Sequence, residues 1–212
     1  YPGKEILLFV LLSVVFCGLA IKGATGPQWG GSRFDAYFFL LTTLAVLCAW
    51  FPVRHALFEE RLADASERLL AHDDIAVNCL SKFGGIFYLN YAGYVYQGSD
   101  VINLKANICK LLQQYLDSPA GADHAMLYSL HVLTHEAMHV ADEFDERRAD
   151  CRAFQRNHKM AEQLGVPPLI AAINSRDLHR TRSARHPYYS AECEPGRGMD
   201  EDLPDAVWVL SN

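Results

Sequence analysis

Two uncharged apolar runs, Ile6–Ile21 and Ala36–Val53, restrict the folds open to this chain more than any other feature. They contain 16 and 18 residues, and a helix of about 17–25 residues crosses the hydrocarbon core of a bilayer. Neither run has a polar face, so we do not expect a core helix of a globular domain in either place. We predict a transmembrane helical hairpin over residues 1–53, with spans at about 6–21 and 36–53.

The first run also fits a secretory signal peptide, because Lys4 precedes it and Gly-Leu-Ala lies near its end at residues 18–20. A second apolar run so close behind favours the hairpin over this alternative. The loop between the runs carries Lys22 and Arg33, and positive charges in short loops favour the cytoplasmic side of a membrane. This charge pattern places the chain after Val53 outside the cytoplasm.

The remaining residues, 54–212, hold all nine histidines and 39 of the 44 charged side chains. The whole chain has a formal net charge of −6, so no basic field recommends a nucleic acid as partner. Half of its residues are hydrophobic and 21% are charged, which is ordinary for a globular protein and too apolar for a disordered one. We therefore expect a folded domain after the hairpin.

Four of the six cysteines, Cys79, Cys109, Cys151 and Cys193, lie in the polar part of the chain. Four cysteines allow three pairings, and the sequence alone does not choose among them. Sequential pairing, Cys79–Cys109 and Cys151–Cys193, closes loops worth roughly 3–4 kcal/mol each, and we carry this pairing forward. A zinc cluster is the competing use, but no C-x-x-C spacing occurs. Disulfides indicate an oxidising compartment, which agrees with the loop charges.

The polar part is predicted to be mainly α-helical with one small β-hairpin. Apolar residues recur at helical spacing directly after the second span, which indicates a juxtamembrane helical stalk. Two short apolar segments on either side of a Gln-Gly-Ser-Asp turn predict the hairpin. The predicted elements are the stalk (54–76, helical to 72), two strands (93–96, 101–104), three helices (105–116, 122–139, 145–164) and a mostly irregular tail (174–212).

Residues 135–139 read His-Glu-Ala-Met-His, an H-E-x-x-H pattern inside a predicted helix. Positions i and i+4 share one face of a helix, so the imidazoles of His135 and His139 can bind the same ion. Glu136 can then reach a metal-bound water and act as general base. The pattern predicts a Zn²⁺ site; the alternative is an amphipathic helix whose histidines align by chance.

A catalytic zinc needs a third protein ligand and one open position. Glu146 follows His139 by seven residues and is the ligand we favour. One straight helix from His135 to Glu146 would separate them by roughly 16 Å, so the chain must reverse within 140–145. Asp145 stands where the H-E-x-x-H-x-x-G-x-x-H pattern has its third ligand, and it is the alternative.

Several further residues are candidates for supporting roles. Asp150 follows Glu146 by about one helical turn, and we expect its carboxylate to hold a ligand histidine by the second ring nitrogen. His131 lies one turn before His135 and could do the same or contact substrate, although a solvated or core histidine is the plainer interpretation. Hydrolysis also needs a donor for the developing oxyanion. The candidates for that donor are His186, Tyr188 and Tyr189.

These motifs resemble a family of small bacterial zinc metallopeptidases that are membrane-anchored or secreted. The family core reads L-T-H-E-x-x-H, a short turn, and E-x-x-A-(D/E)-C-x-A-x-Q, found here at residues 133–139 and 146–155. The likeness spans roughly Cys79–Asp200 and leaves out the apolar runs. One departure is Asp142, which stands where relatives often have Gly in the tight turn.

The resemblance, shared with the wider gluzincin group, implies a minimal zincin-like domain over residues 77–212. It implies zinc bound by His135, His139 and Glu146, with Glu136 as the base. We therefore predict a zinc metallopeptidase on a bacterial membrane, with its domain outside the cytoplasm and a peptide or protein as substrate. The alternative is a non-catalytic accessory subunit of a larger membrane complex that keeps the metal site, with His131 or Asp150 as a fourth ligand.

Overall fold

The computed structural model describes residues 4–25, 36–80, 91–182 and 188–205. The chain divides into two compact units, Tyr1–Phe58 and Glu59–Asn212. Its regular structure is mainly helical with one small sheet, which confirms the predicted helical character.

The first unit is built from helix α1 (Lys4–Thr25) and the first part of helix α2 (Ala36–Leu70). Both helices are long and apolar enough to cross a membrane. Within the unit the Ser13 hydroxyl donates a hydrogen bond to the carbonyl of Ala45 at 3.0 Å. Large apolar side chains along both helices face outward. Such surfaces are unfavourable in water and suit contact with lipid.

The second unit contains a three-stranded sheet in the order β1-β3-β2. Strands β2 (Gly93–Val95) and β3 (Val101–Lys105) pair antiparallel and form the predicted hairpin. Strand β1 (Ala76–Leu80) lies outside that prediction and pairs with β3 in parallel, Ala76 opposite Val101. Strands β1 and β3 pair at positions 25 residues apart, and a parallel pair is not joined by a tight turn that the sequence could indicate. For this reason only the β2–β3 hairpin was expected.

Four helices follow the sheet: α3 (Ala106–Asp117), α4 (His124–Val140), α5 (Glu146–Gln163) and α6 (Pro168–Arg182). Among the described residues, short 3-10 helices lie at Pro119–Gly121 and Ala191–Cys193. Helix α4 is central and packs against α3, α5, α6 and the sheet. Its burial on several sides makes it a rigid base for side chains that point into the cleft described below. The fully buried side chains of this core include Leu104, Leu112, Leu133 and Phe154.

The tail is more ordered than expected, because α6 continues through residues 174–182. The prediction of a mostly irregular tail is wrong for this segment. The face that α6 buries carries Asn174, Ser175 and His179 beside Leu178. Polar residues therefore occupy core positions, and the apolar period that would have indicated a helix is absent.

Two disulfides stabilise the second unit, Cys79–Cys109 and Cys151–Cys193. The first joins β1 to α3, and the second joins α5 to the 3-10 helix of the tail. Cys17 and Cys48, in the apolar helices, are not bonded. The pairing is sequential along the polar part of the chain.

Candidate metal centre

The candidate site lies between the antiparallel-packed helices α4 and α5, at the turn that joins them. Helix α4 ends at Val140 and α5 begins at Glu146, so the chain reverses where the metal hypothesis requires it. Asp142 takes a left-handed conformation in this turn, with φ of 60°. Glycine is the residue best suited to that conformation, and aspartate is among the few others that adopt it.

Three side-chain atoms converge at this turn. The Nε2 atom of His135 lies 3.1 Å from Oε2 of Glu146, and Nε2 of His139 lies 3.8 Å from the same oxygen. The three potential ligand atoms all lie within 4.8 Å of one another. Zinc ligands at roughly 2.0–2.1 Å in a tetrahedron are about 3.3 Å apart. These two nitrogens and one oxygen could therefore hold a metal ion, and nitrogen and carboxylate oxygen are donor types that zinc accepts.

The second ring nitrogen of each histidine faces a different group, and for His139 a hydrogen bond fixes how the ring is oriented. Nδ1 of His139 donates to the carbonyl of Glu143 at 2.6 Å, so Nε2 is the nitrogen turned toward Glu146. Nδ1 of His135 lies 3.9 Å from Oδ1 of Asp150. The Asp150 carboxylate therefore lies behind His135, but beyond hydrogen-bond distance of it, and its hydrogen bond is made with His131 at 2.9 Å.

The charges of the three groups are coupled. Burial lowers the pKa of His135, but the hydrogen bond to Glu146 and the charges of Glu136, Asp150 and Glu146 outweigh it and raise that pKa overall. Burial and the neighbouring His135 lower the pKa of His139. The hydrogen bond from His135 lowers the pKa of Glu146. One carboxylate and one neutral imidazole, both able to bind a cation, are thus favoured near neutral pH.

Glu136 lies beside this cluster in a different environment. Its side chain is 5% exposed, and its Oε2 atom is buried without a hydrogen-bond partner. Burial, offset in part by His135, raises the pKa of Glu136 to about 7. A carboxyl group with that pKa can both take up and release a proton near neutral pH.

The main chain at the start of β2 packs directly on Glu136. A Cβ atom placed on Gly93 would lie 2.8 Å from both Cγ and Oε1 of Glu136. A side chain at this position would force the Glu136 side chain to shift, so the close approach favours glycine. The sequence pattern predicted Gly93 only as the first residue of a strand and gave no sign of its contact with Glu136.

The cluster opens into a cleft of about 260 Å³. Strand β2 forms one wall, and tyrosines and valines complete the lining. The ring of Tyr188 stacks over His135 with centroids 6.5 Å apart. Tyr128 precedes His135 by seven residues, two helical turns on the same face of α4, so its place in the lining could have been predicted from spacing. The lining residues are Tyr91, Ala92, Gly93, Tyr94, Val95, Tyr128, His131, Val132, His135, Glu136, His139, Glu146, Asp150 and Tyr188.

Not every predicted residue joins the cluster. The carboxylate of Asp145 caps α5 by accepting hydrogen bonds from the backbone N–H groups of Arg147 and Arg148. The hydroxyl of Tyr189 donates to Glu194 and does not line the cleft. His186 lies outside the described residues.

The tail is fastened to α5 by polar contacts as well as by a disulfide. The amide of Gln155 donates to the carbonyl of Met199, and its oxygen accepts from the N–H of Glu201. Arg152 pairs with Glu201 at 2.9 Å and with Glu143 at 3.6 Å. The carbonyl of Glu143 accepts the hydrogen bond from His139. These contacts therefore connect the tail to the turn beside the candidate ligands His135, His139 and Glu146.

Comparison with known proteins gives no relative: no protein-family model, no curated protein and no solved structure matches this chain.

Proposed function

We propose that this chain is a zinc-dependent peptidase anchored in a membrane. One observation carries the proposal: the buried Glu136 carboxyl lies in the same cleft as the convergent nitrogens of His135 and His139 and the carboxylate of Glu146. A buried acid without a hydrogen-bond partner for one oxygen is costly and points to a ligand or a catalytic role.

Each residue has a distinct task under this proposal. His135, His139 and Glu146 would hold the metal. A bound zinc ion would polarise a peptide carbonyl and lower the pKa of a water molecule. Glu136 takes the proton from the attacking water and passes it to the leaving amine, which a pKa near 7 suits. The hydroxyl of Tyr188, whose ring stacks over His135 in the cleft, is the proposed donor to the developing oxyanion.

The wall formed by β2 suggests how a substrate would bind. In the sheet of described residues β2 is an edge strand, and its residues line the cleft. An extended peptide can add to such an edge through main-chain hydrogen bonds. The glycine at position 93 brings this edge within contact of Glu136. We therefore propose a peptide or protein as the substrate class.

The proposed location is a bacterial cell membrane, with the second unit outside the cytoplasm. Two helices long and apolar enough for a bilayer support the anchor. The positive loop residues Lys22 and Arg33 support the orientation by the positive-inside rule. The two disulfides support an oxidising compartment.

The accessory-subunit alternative would be supported by a fourth protein ligand, for which His131 and Asp150 are the closest candidates, or by a partner chain that fills the cleft. Nε2 of His131 and Oδ1 of Asp150 are hydrogen-bonded to each other at 2.9 Å, and together with His135 they form a second group whose potential ligand atoms lie within 4.8 Å of one another. A peptidase and an accessory subunit also differ in whether the chain turns over substrate.

The test uses the full chain in detergent micelles or nanodiscs, loaded with zinc. Glu136→Gln should retain one zinc ion, measured by elemental analysis, and lose hydrolysis of a quenched fluorescent peptide library by about 10²–10⁴-fold. Glu60→Gln, a change at an exposed helix position, should leave both measurements unchanged. Full hydrolysis by Glu136→Gln, or no zinc in the parent chain, would overturn the proposal.

A further inference from the structure

Behind the metal cluster, the buried interface of α4 and α5 contains a chain of polar side chains. His131 and Asp150 are each 2% exposed, and Asn157 is fully buried. Nε2 of His131 lies 2.9 Å from Oδ1 of Asp150, and the amide Nδ2 of Asn157 lies 3.1 Å from Nδ1 of His131. Asp150 in turn faces Nδ1 of His135 at 3.9 Å. These four side chains form a polar line from the core to the cleft, in which hydrogen bonds join Asn157, His131 and Asp150, while Asp150 and His135 are neighbours beyond hydrogen-bond distance.

The direction of the hydrogen bonds follows from chemistry. An amide nitrogen only donates, so Nδ1 of His131 accepts from Asn157 and the ring proton sits on Nε2. The N–H group at Nε2 of His131 donates its hydrogen bond to Oδ1 of Asp150. The ring is also held from one side by Phe154, with stacked centroids 4.3 Å apart. His131 thus has one tautomer and one orientation.

A carboxylate buried this deeply is expensive and persists only with partners. Two apolar side chains in place of His131 and Asp150 would pack between α4 and α5 without the cost of burying a charge. The polar line ends at His135, whose other nitrogen faces Glu146. The cost of burying these polar side chains is explained if they hold Asp150 in place and Asp150 in turn orients the ring of His135.

We infer that His131 and Asn157 are positioning residues of the metal centre, which hold Asp150 so that His135 presents Nε2 toward the ion. This inference rests on the proposed zinc site. It assigns to His131 neither a metal contact nor a substrate contact. Partners of this kind, one layer beyond the ligands, change metal affinity by about 10–100-fold when removed.

The experiment measures zinc affinity of the full chain in nanodiscs by competition with a chromogenic chelator, and the thermal midpoint of the metal-free protein. The variants are Asn157→Leu, His131→Leu and His131→Gln. The matched control is Asn174→Leu, since Asn174 is also buried and donates two hydrogen bonds, to the Tyr115 hydroxyl and the Pro119 carbonyl.

Asn157→Leu and His131→Leu should weaken zinc binding at least tenfold, and His131→Gln, which keeps a donor, should recover part of it. Asn174→Leu should lower the thermal midpoint while zinc affinity stays within twofold.

If Asn157→Leu lowers the midpoint but binds zinc like the parent, His131 and Asn157 are structural only and the inference is overturned. If His131→Leu does not fold, Asn157→Leu decides alone. A parent chain that binds no zinc overturns both the inference and the proposed function, whereas normal zinc binding in the variants overturns only the inference.

Discussion

Gly93 lies against the carboxylate of Glu136, with no room for a side chain between the two residues. The wall of the cleft and the proposed base are therefore one unit: strand β2 sets where the carboxylate can be.

Replacing Gly93 by alanine should move Glu136 out of position. The added methyl group would overlap the carboxyl group, and a displaced general base loses much of its effect on rate. We expect kcat/KM for peptide hydrolysis to fall at least tenfold with zinc affinity unchanged. Gly121→Ala, where the new methyl group meets only ordinary contact with Ser118, is the control. Normal hydrolysis by Gly93→Ala would show that the close approach has no catalytic consequence.

The raised pKa of Glu136 predicts how the stability of the metal-free protein depends on pH. An acid whose pKa rises from 4.5 to about 7 on folding binds its proton more tightly in the folded state. Its contribution to stability is complete below pH 4.5 and is lost as pH rises through 7. The loss is roughly 3 kcal/mol in the free energy of unfolding.

Denaturation with chelator present, at pH 5 and pH 8, measures this loss. Glu136→Gln cannot ionise and should be the more stable protein at pH 8, while Glu60→Gln should follow the parent. The expectation fails if the parent and Glu136→Gln change in parallel between the two pH values.

Removing the charge of Glu146 should weaken zinc binding, whereas removing the charge of Asp145 should not. Glu146→Gln removes a group within 3.1 Å of His135, and zinc affinity should drop at least tenfold. Asp145→Asn keeps a side chain that can cap α5. Its zinc affinity should stay within twofold of the parent. The reverse order of effects would make Asp145 the third ligand.

Removing the Cys151–Cys193 disulfide should destabilise the second unit. The bond closes a loop of 42 positions, which corresponds to roughly 4 kcal/mol in the chain-entropy account. The double variant Cys151→Ala, Cys193→Ala should therefore unfold at clearly lower denaturant concentration. Replacing Cys17, which is unpaired, by alanine serves as control. An unchanged unfolding midpoint in the double variant would contradict the prediction.

The residues that could be predicted from sequence are those whose spacing along one helix or one hairpin determines their neighbours. His135 and His139 share a face of α4 by the helical period, and the β2–β3 pair follows from its turn. The parallel partner β1 and the contact of Gly93 with Glu136 depend on packing between distant segments, for which the sequence has no periodic signal. The buried face of α6 was missed because Asn174 and His179 occupy positions where apolar residues were expected.

The short path along the chain between the candidate ligands has a consequence for how the centre assembles. His135 and Glu146 are eleven positions apart, so bringing them together closes a small loop at little entropic cost. Contacts this local form quickly. The bond between Cys151 and Cys193 spans a much longer stretch and also needs oxidation. If the site binds a metal ion as proposed, the α4–α5 pair could bind it while the tail is still unattached, and the ion would then favour the folding of the residues that hold it.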